Sequence, residues 1–402
     1  MHPLIHDWNQ ASAPRPPVVL LNDETLRDGL QSPSVRCPDI EEKLRILHLI
    51  DRLGIDTADI GLPGAGPQVV RDVERLAREI ADCRLRVQAN CAARTVIADI
   101  RPIVEISQRV GIPIECCAFI GSSPLRQYAE GWAIDQLLRL TEEAITFAAR
   151  AGLPVMYVTE DTTRADPETL RRLYSTAIRA GASRVCVADT VGHATPAGAA
   201  AVVRFVAGVV EACGGGIGID WHGHRDRDFA VVNSLAALEA GATRLHGTAM
   251  GIGERVGNTP MDMLLVNLVL MGWIERDLSA LVEYCEYVSE VTGVPLPPNY
   301  PVVGRDAFRT ATGVHAAAVI KAFRKNDTAL VDAVYSGVPA SLVGREQEVD
   351  IGPMSGRSNV LFWLEKRGIP ASDAAVDRIF ARAKASASVL TEEEIRSELT
   401  EG

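Results

Sequence analysis

No run of apolar residues in this chain reaches the twenty or so needed to cross a bilayer; the longest, such as Met263 to Trp273, stop well short. The first residues, with His2, His6 and Asp7, lack the basic-then-apolar order of a secretory leader, so a cytosolic protein is expected. There is no basic stripe either. With a formal net charge of −11, nucleic acid and anionic membranes are unfavourable partners, and small anionic substrates must be caught by local Arg groups or a metal ion. No CxxC occurs among the eight cysteines, and the one adjacent pair, Cys116 and Cys117, lies inside an apolar run. Buried free thiols are therefore expected, rather than disulfides or a zinc knuckle. Low-complexity tracts are also missing.

What is present is a rhythm. With 402 residues, 47% of them apolar, the chain can bury one large core and still supply a second domain. Eight strand-like runs follow one another: Val18–Leu21, Thr57–Gly61, Leu85–Asn90, Ile114–Ile120, Val155–Thr159, Arg184–Asp189, Ile217–Trp221 and Arg244–Thr248. Between them lie helix-period stretches, among them Ile40–Leu53, Pro67–Ile80, Ile134–Ala151, Pro167–Ala180, Pro196–Glu211 and Phe229–Ala240, often closed by a glycine such as Gly54, Gly152, Gly181 or Gly241. Eight such units in about 250 residues predict an α/β fold, a closed (β/α)8 TIM barrel, followed by a smaller, mostly helical C-terminal region.

The expected division is an N-terminal arm over 1–17, the barrel over 18–275, a linker helix (Leu278–Thr292) and Pro-rich arm over 276–301, and small C-terminal subdomains over 302–402. In the last, helices are expected over Phe308–Arg324, Asn359–Lys366 and Ala371–Ser397, with a loop through Ser336–Gly344. In a barrel the chemistry belongs at the C-terminal strand ends.

The polar clusters sit there. Asp23–Gly29 follows the first strand and sets Arg27 beside Asp28; alone, such a pair is usually a surface ion pair worth little. His222-Gly223-His224 follows the seventh. Residues i and i+2 of an extended segment share a side, so the two imidazoles converge, and with a carboxylate from another strand end they suit a divalent ion. A bare HxH is more often a hydrogen-bonded loop, but the position at a barrel strand end favours the metal reading. Glu160–Arg164, Asp189–Gly192 and Gly251–Asn258 follow strands five, six and eight. The last is not a dinucleotide loop, because it lacks the strand-to-helix GxGxxG placement.

These motifs resemble the 2-isopropylmalate, homocitrate and citramalate synthase family, a group of metal-dependent barrels akin to 3-hydroxy-3-methylglutaryl-CoA lyase. The likeness continues in Thr312–His315 and Gly352–Asn359. The resemblance implies a homodimeric acyltransferase of carboxylic-acid metabolism and amino-acid biosynthesis that condenses acetyl-CoA with a 2-keto acid, 2-isopropylmalate synthase-like in the first instance. It implies Asp28, His222 and His224 as ligands of a divalent ion (Mg2+, Mn2+ or Zn2+). Arg27 would stand beside the keto oxygen, Glu160 and His315 would handle protons, with His315 acting across the dimer, and Thr190 would hold the substrate carboxylate. Glu254 and Asn258, in the loop resembling GxGERxGN, belong with the substrate-binding set.

Several positions depart from the pattern. Arg225 replaces the Asn of HxHND, and Arg126 stands where many relatives have His; two extra arginines would suit a second anionic group, although Arg225 could equally face solvent. Met156 stands where homocitrate synthases carry an Arg for the distal carboxylate, which suits a small apolar acid such as 2-ketoisovalerate. Gly61-Leu62-Pro63 for GFP and Ala316-Ala317 for Gln-Asp bear on the substrate, not the reaction. The chain ends at Gly402 without a regulatory domain, so insensitivity to leucine is expected. The alternatives are homocitrate, citramalate or a phosphono analogue as product, lyase-type cleavage of 3-hydroxy-3-methylglutaryl-CoA, or a non-catalytic metabolite-binding barrel. Lyases carry a Cys in the glycine loop, and Gly251–Asn258 has none. A binding module has no need of a base opposite a metal.

Overall fold

A computed structural model describes residues 2–11, 15–370 and 372–400. Eight parallel strands close into a barrel: β1 (Leu20–Asp23), β2 (Thr57–Asp59), β3 (Gln88–Arg94), β4 (Glu115–Gly121), β5 (Val155–Glu160), β6 (Arg184–Asp189), β7 (Gly218–Gly223) and β8 (Arg244–Gly247). Closure is made by β1 against β8, with Leu20 opposite Arg244 and Asp23 opposite Gly247. All eight expected strands are present, with ends shifted by up to four residues. The largest shift is at β3, where the expected Leu85–Gln88 stretch leads in and pairing continues to Arg94 opposite Phe119.

The helices are set by caps and one apolar face each. Asp39 accepts from the Glu42 amide while Glu42 reaches back to the Asp39 amide, a capping box that starts Ile40–Arg52 and turns Ile46, Leu47 and Ile50 inward. Pro at the first turn opens Pro67–Cys83, Pro167–Ala180 and Pro196–Ala212. Ile134–Arg150 and Ala230–Glu239, with three further helices, Ile97–Val110, Pro124–Glu130 and Met261–Leu270, complete the ring.

The chain divides into two compact units, Ser12–Pro295 and Met1–Ala11 with Leu296–Gly402. Leu281–Thr292, expected as a linker, is built into the barrel unit. Its Tyr284 hydroxyl donates to Asp23 at 2.5 Å and meets the Thr25 hydroxyl at 2.9 Å, all of them buried. Of the expected N-terminal arm, residues 1 and 12–14 lie outside the described residues.

Burial pushes the Asp23 carboxyl up to about 6, against the lowering pull of the Tyr284 and Thr25 hydrogen bonds. That lies above the about 3.9 of an unfolded Asp, so the native state holds the extra proton between the two values. The stability this proton contributes is complete below about pH 4 and is lost as pH rises through 6. Asp23→Asn cannot ionise, so its Tm is expected to gain on the wild type between pH 4 and pH 7. A pH-independent difference would refute this.

In the second unit, β9 (Arg309–Thr310) pairs in parallel with β10 (Glu348–Val349). This corrects the expected helix over Phe308–Arg324: the first residues are extended because Phe308 and Thr310 accept from the Glu348 and Asp350 amides, and the helix begins at Gly313 and runs to Phe323. The expected Ala371–Ser397 helix is two, Asp373–Ala385 and Glu392–Thr400, because Thr391 and Glu394 form a new N-terminal cap. Ala371 lies outside the described residues. A short helix, Thr328–Ala333, was not foreseen. The unit has its own cores, one around Ile351, Trp363, Val376 and Ile379 and one around Val319, Ile320 and Phe362.

Among the described residues no helix is long and apolar enough to cross a membrane. All eight cysteines are free thiols; five are buried as expected, but Cys37 and Cys83 are exposed and Cys213 is half-buried.

Candidate active site

Alternation along β7 puts Asp220 and His222 on one side, and the chain keeps that direction to His224. After β1 the backbone folds tightly, with the amides of Arg27 and Gly29 both donating to the Glu24 carbonyl, which swings Asp28 toward the histidines. An Asp28 carboxylate oxygen lies 3.5 Å from His222 Nε2 and 3.8 Å from His224 Nε2, and the two imidazole centroids are 5.0 Å apart. The three offer one ligand atom each within 4.8 Å of one another. Burial and the neighbouring His222 push His224 down to about 4, so it stays neutral with a lone pair to give. The donor set of two imidazoles and a carboxylate fits a divalent ion.

A second set, Glu24, His222 and His246, is equally compact. It does not suit a metal. Both His246 ring nitrogens face carboxylates, Glu24 at 3.0 Å and Asp220 at 2.9 Å, and carboxylates only accept. Burial alone would lower the His246 value, but Glu24 and Asp220 outweigh it and lift it to about 9, so the ring is an imidazolium with no lone pair. Asp220 is held in turn by Arg244 at 2.5 Å and Arg184 at 2.7 Å, and Arg244 also pairs with Glu115.

Arg27 sits among three carboxylates: Asp59 at 2.7 Å, Glu24 at 3.2 Å and Asp28 at 3.5 Å. It lines a cavity of about 240 Å³ at the C-terminal strand ends, together with Asp28, His222, His224, Glu160, Thr190, Glu254 and Arg255. The deeper wall is apolar: Ala92, Cys117, Phe119, Met156, Val158, Cys186 and Ala188. Burial raises the Glu160 carboxyl above its ordinary value, a shift that Arg126 opposes. The rim is fixed by the Gly251–Asn258 loop. Gly257 has φ +103°, and a Cβ there would run into the Gly251 carbonyl, so only glycine fits.

The structure brings together Arg27, Asp28, Met156, Glu160, Thr190, His222, His224 and Glu254 around this cavity. Three expected contributors do not line it. Arg225 is spent on the carbonyls of Val256 and Met250; Arg126 pairs with Glu130 at 3.2 Å and lies 3.7 Å from Glu160; and Asn258 is buried, donating to the Ile252 carbonyl. Thr190 accepts from the Asp161 amide at 2.8 Å. His315 is exposed on Gly313–Phe323 in the second unit, its ring 4.3 Å from that of Tyr335. Sequence reasoning missed Glu24, Asp59, Asp220, Arg244 and His246. The alternation Arg244, His246, Thr248 along β8 could have found the last two, since i and i+2 on a barrel strand face inward together.

Relatives carry names of this chemistry. The chain is 34% identical to a "Probable 2-isopropylmalate synthase" of Methanopyrus kandleri, over 92% of this chain and 70% of that one. It is 35% identical to the homocitrate synthase AksA of the same organism, over 92% and 88%. Two differently named synthases at near-equal identity leave the keto acid unselected. A hydroxymethylglutaryl-CoA lyase from Pseudomonas aeruginosa shares the fold, with a TM-score of 0.58 and 20% identity over 73% of this chain and 97% of that one. The family model HMGL-like matches residues 19–288, the whole barrel and most of the helix after it. The chain belongs to the HMGL-like family.

Proposed function

We propose that this protein is an acyltransferase that condenses acetyl-CoA with a 2-keto acid bearing an uncharged, apolar side chain, in the manner of a 2-isopropylmalate synthase. One observation carries the reading: the candidate metal ligands and Arg27 line a cavity together with the apolar Met156, Val158, Cys117 and Cys186. The cations next to this apolar lining are already paired, His246 with Glu24 and Asp220, Arg255 with Asp226 and Arg244 with Asp220 and Glu115, so a distal carboxylate finds no free partner. Arg225 is held by the Val256 and Met250 carbonyls and Arg126 by Glu130 and Glu160, which argues against a doubly anionic substrate.

A divalent ion held by Asp28, His222 and His224 would supply Lewis-acid polarisation of a bound ketone. Arg27 would direct its guanidinium at the ketone oxygen, where negative charge develops as the new bond forms. The Thr190 hydroxyl would hold the keto-acid carboxylate. Glu160, with its raised carboxyl value, would take a proton from the acetyl methyl group. The resulting carbanion forms the carbon–carbon bond to the ketone carbon, the ketone oxygen becomes a tertiary alcohol, and water hydrolyses the thioester to release CoA. His315 belongs to this reading as a proton-handling residue of the second unit, in a homodimer.

The test is CoA release from acetyl-CoA across pyruvate, 2-ketoisovalerate, 2-ketoglutarate and oxaloacetate, with Mg2+, Mn2+ or Zn2+ present. Release driven by 2-ketoisovalerate, and weak with the two dicarboxylates, is the expected result. Preference for a dicarboxylate would overturn the substrate class. No release with any keto acid, together with cleavage of 3-hydroxy-3-methylglutaryl-CoA, would replace the synthase reading by the lyase one.

A further inference from the structure

Glu24 appears in the sequence only as one letter of the loop after β1, yet in the fold it is a buried carboxylate whose two oxygens have separate tasks. Oε1 gathers three donors: Asn22 Nδ2 at 3.4 Å, Arg27 Nη2 at 3.2 Å and His246 Nδ1 at 3.0 Å. Oε2 is left, among the described residues, for Nδ1 of His222, at 2.7 Å. A carboxylate can only accept, so His222 must carry its proton on Nδ1. Its Nε2 lies on the other side of the ring, 3.5 Å from an Asp28 carboxylate oxygen.

We propose that Glu24 is the positioning residue of the metal site, locking His222 in the Nδ1–H tautomer and in its ring orientation before any ion arrives, and that the His246–Asp220 pair is the brace that keeps Glu24 in place. The brace is anchored at its far end: Asp220 takes hydrogen bonds from both Arg184 and Arg244, and Arg244 reaches on to Glu115, so the line of buried charge runs from the ligand set into the barrel interior. A buried polar chain of this kind is rigid only when every member is satisfied, and here each link has a partner on both sides. The arrangement follows the general logic of metal-bound histidines, whose second nitrogen is held by an outer carboxylate that fixes tautomer and basicity. The inference rests on Asp28, His222 and His224 being the ligand set.

The first readout is the imidazole nitrogen spectrum of the wild-type protein, labelled with 15N in histidine and stripped of metal. His222 is expected to show a protonated Nδ1 in the metal-free state; an unprotonated Nδ1 overturns the proposal without any variant having to fold. The second is calorimetric titration with Mn2+ or Zn2+ of the wild type, Glu24→Gln and His246→Gln, each checked by circular dichroism. Glu24→Gln is expected to lower affinity by about 10–100-fold, the usual cost of losing an outer partner, with His246→Gln affected in the same direction and less. Wild-type binding with Glu24→Gln equally tight would sink the role of Glu24 and leave the ligand set intact. No binding by the wild type would instead remove the ligand set itself.

Discussion

His222→Ala is expected to abolish specific divalent-ion binding and, with it, CoA release from acetyl-CoA. The candidate site offers three protein ligands, so removing one leaves Asp28 and His224, a pair that cannot define a coordination geometry. The loss should exceed the about 10–100-fold expected for an outer partner such as Glu24. Losing His222 also strips Glu24 Oε2 of its partner among the described residues, but His246, Arg27 and Asn22 still hold the other oxygen, so the fold is expected to survive. Calorimetry and the CoA assay on the same folded sample check both halves. Retained ion binding would show that the ligands lie elsewhere.

Arg27→Lys is expected to lower kcat by about 10²–10³ while leaving ion affinity unchanged. Truncation to Ala would be uninformative: it strands Asp59, Glu24 and Asp28 without their shared cation, and breaking a buried pair costs about 3–5 kcal/mol. Lysine keeps the charge but not the fork. A guanidinium can hold Asp59 through Nε and still present Nη hydrogens to a substrate oxygen, whereas an ammonium is a single point. Comparison of kcat, KM and ion Kd separates the two roles; a variant that loses only ion affinity would mean that Arg27 serves Asp28 and not the reacting oxygen.

The barrel was legible because its signals are local. Each strand is a short β-branched or apolar run, each helix has a stripe and a cap, and Pro at first turns and Gly at ends mark the joints. What was misread depends on partners distant in sequence. Arg309–Thr310 is extended because it meets Glu348–Val349, about forty positions on, and helical periodicity from Phe308 carries no trace of that pairing. Leu281–Thr292 looked like a linker because nothing in its own sequence says that Tyr284 reaches Asp23.

The candidate site divides in the same way. Asp28, His222 and His224 could be picked out because the ligand chemistry and the i, i+2 spacing lie within short motifs. The brace formed by Glu24, His246, Asp220 and Arg244 draws on three strand ends that only the closed barrel brings together. For Arg126 and Arg225 the charge is visible in the sequence, while the Glu130, Val256 and Met250 groups that hold them are not.

The reaction proposed for this barrel is carbon–carbon bond formation at the Asp28–His222–His224 centre. The most direct test incubates metal-replete protein with 2-ketoisovalerate and acetyl-CoA labelled with 13C at the methyl carbon, and follows the label by NMR. The account predicts that the methyl signal converts to a methylene attached to a tertiary alcohol carbon, and that chelation or His222→Ala stops the conversion. Label remaining in acetyl-CoA or appearing in free acetate, with every keto acid tried, would contradict it.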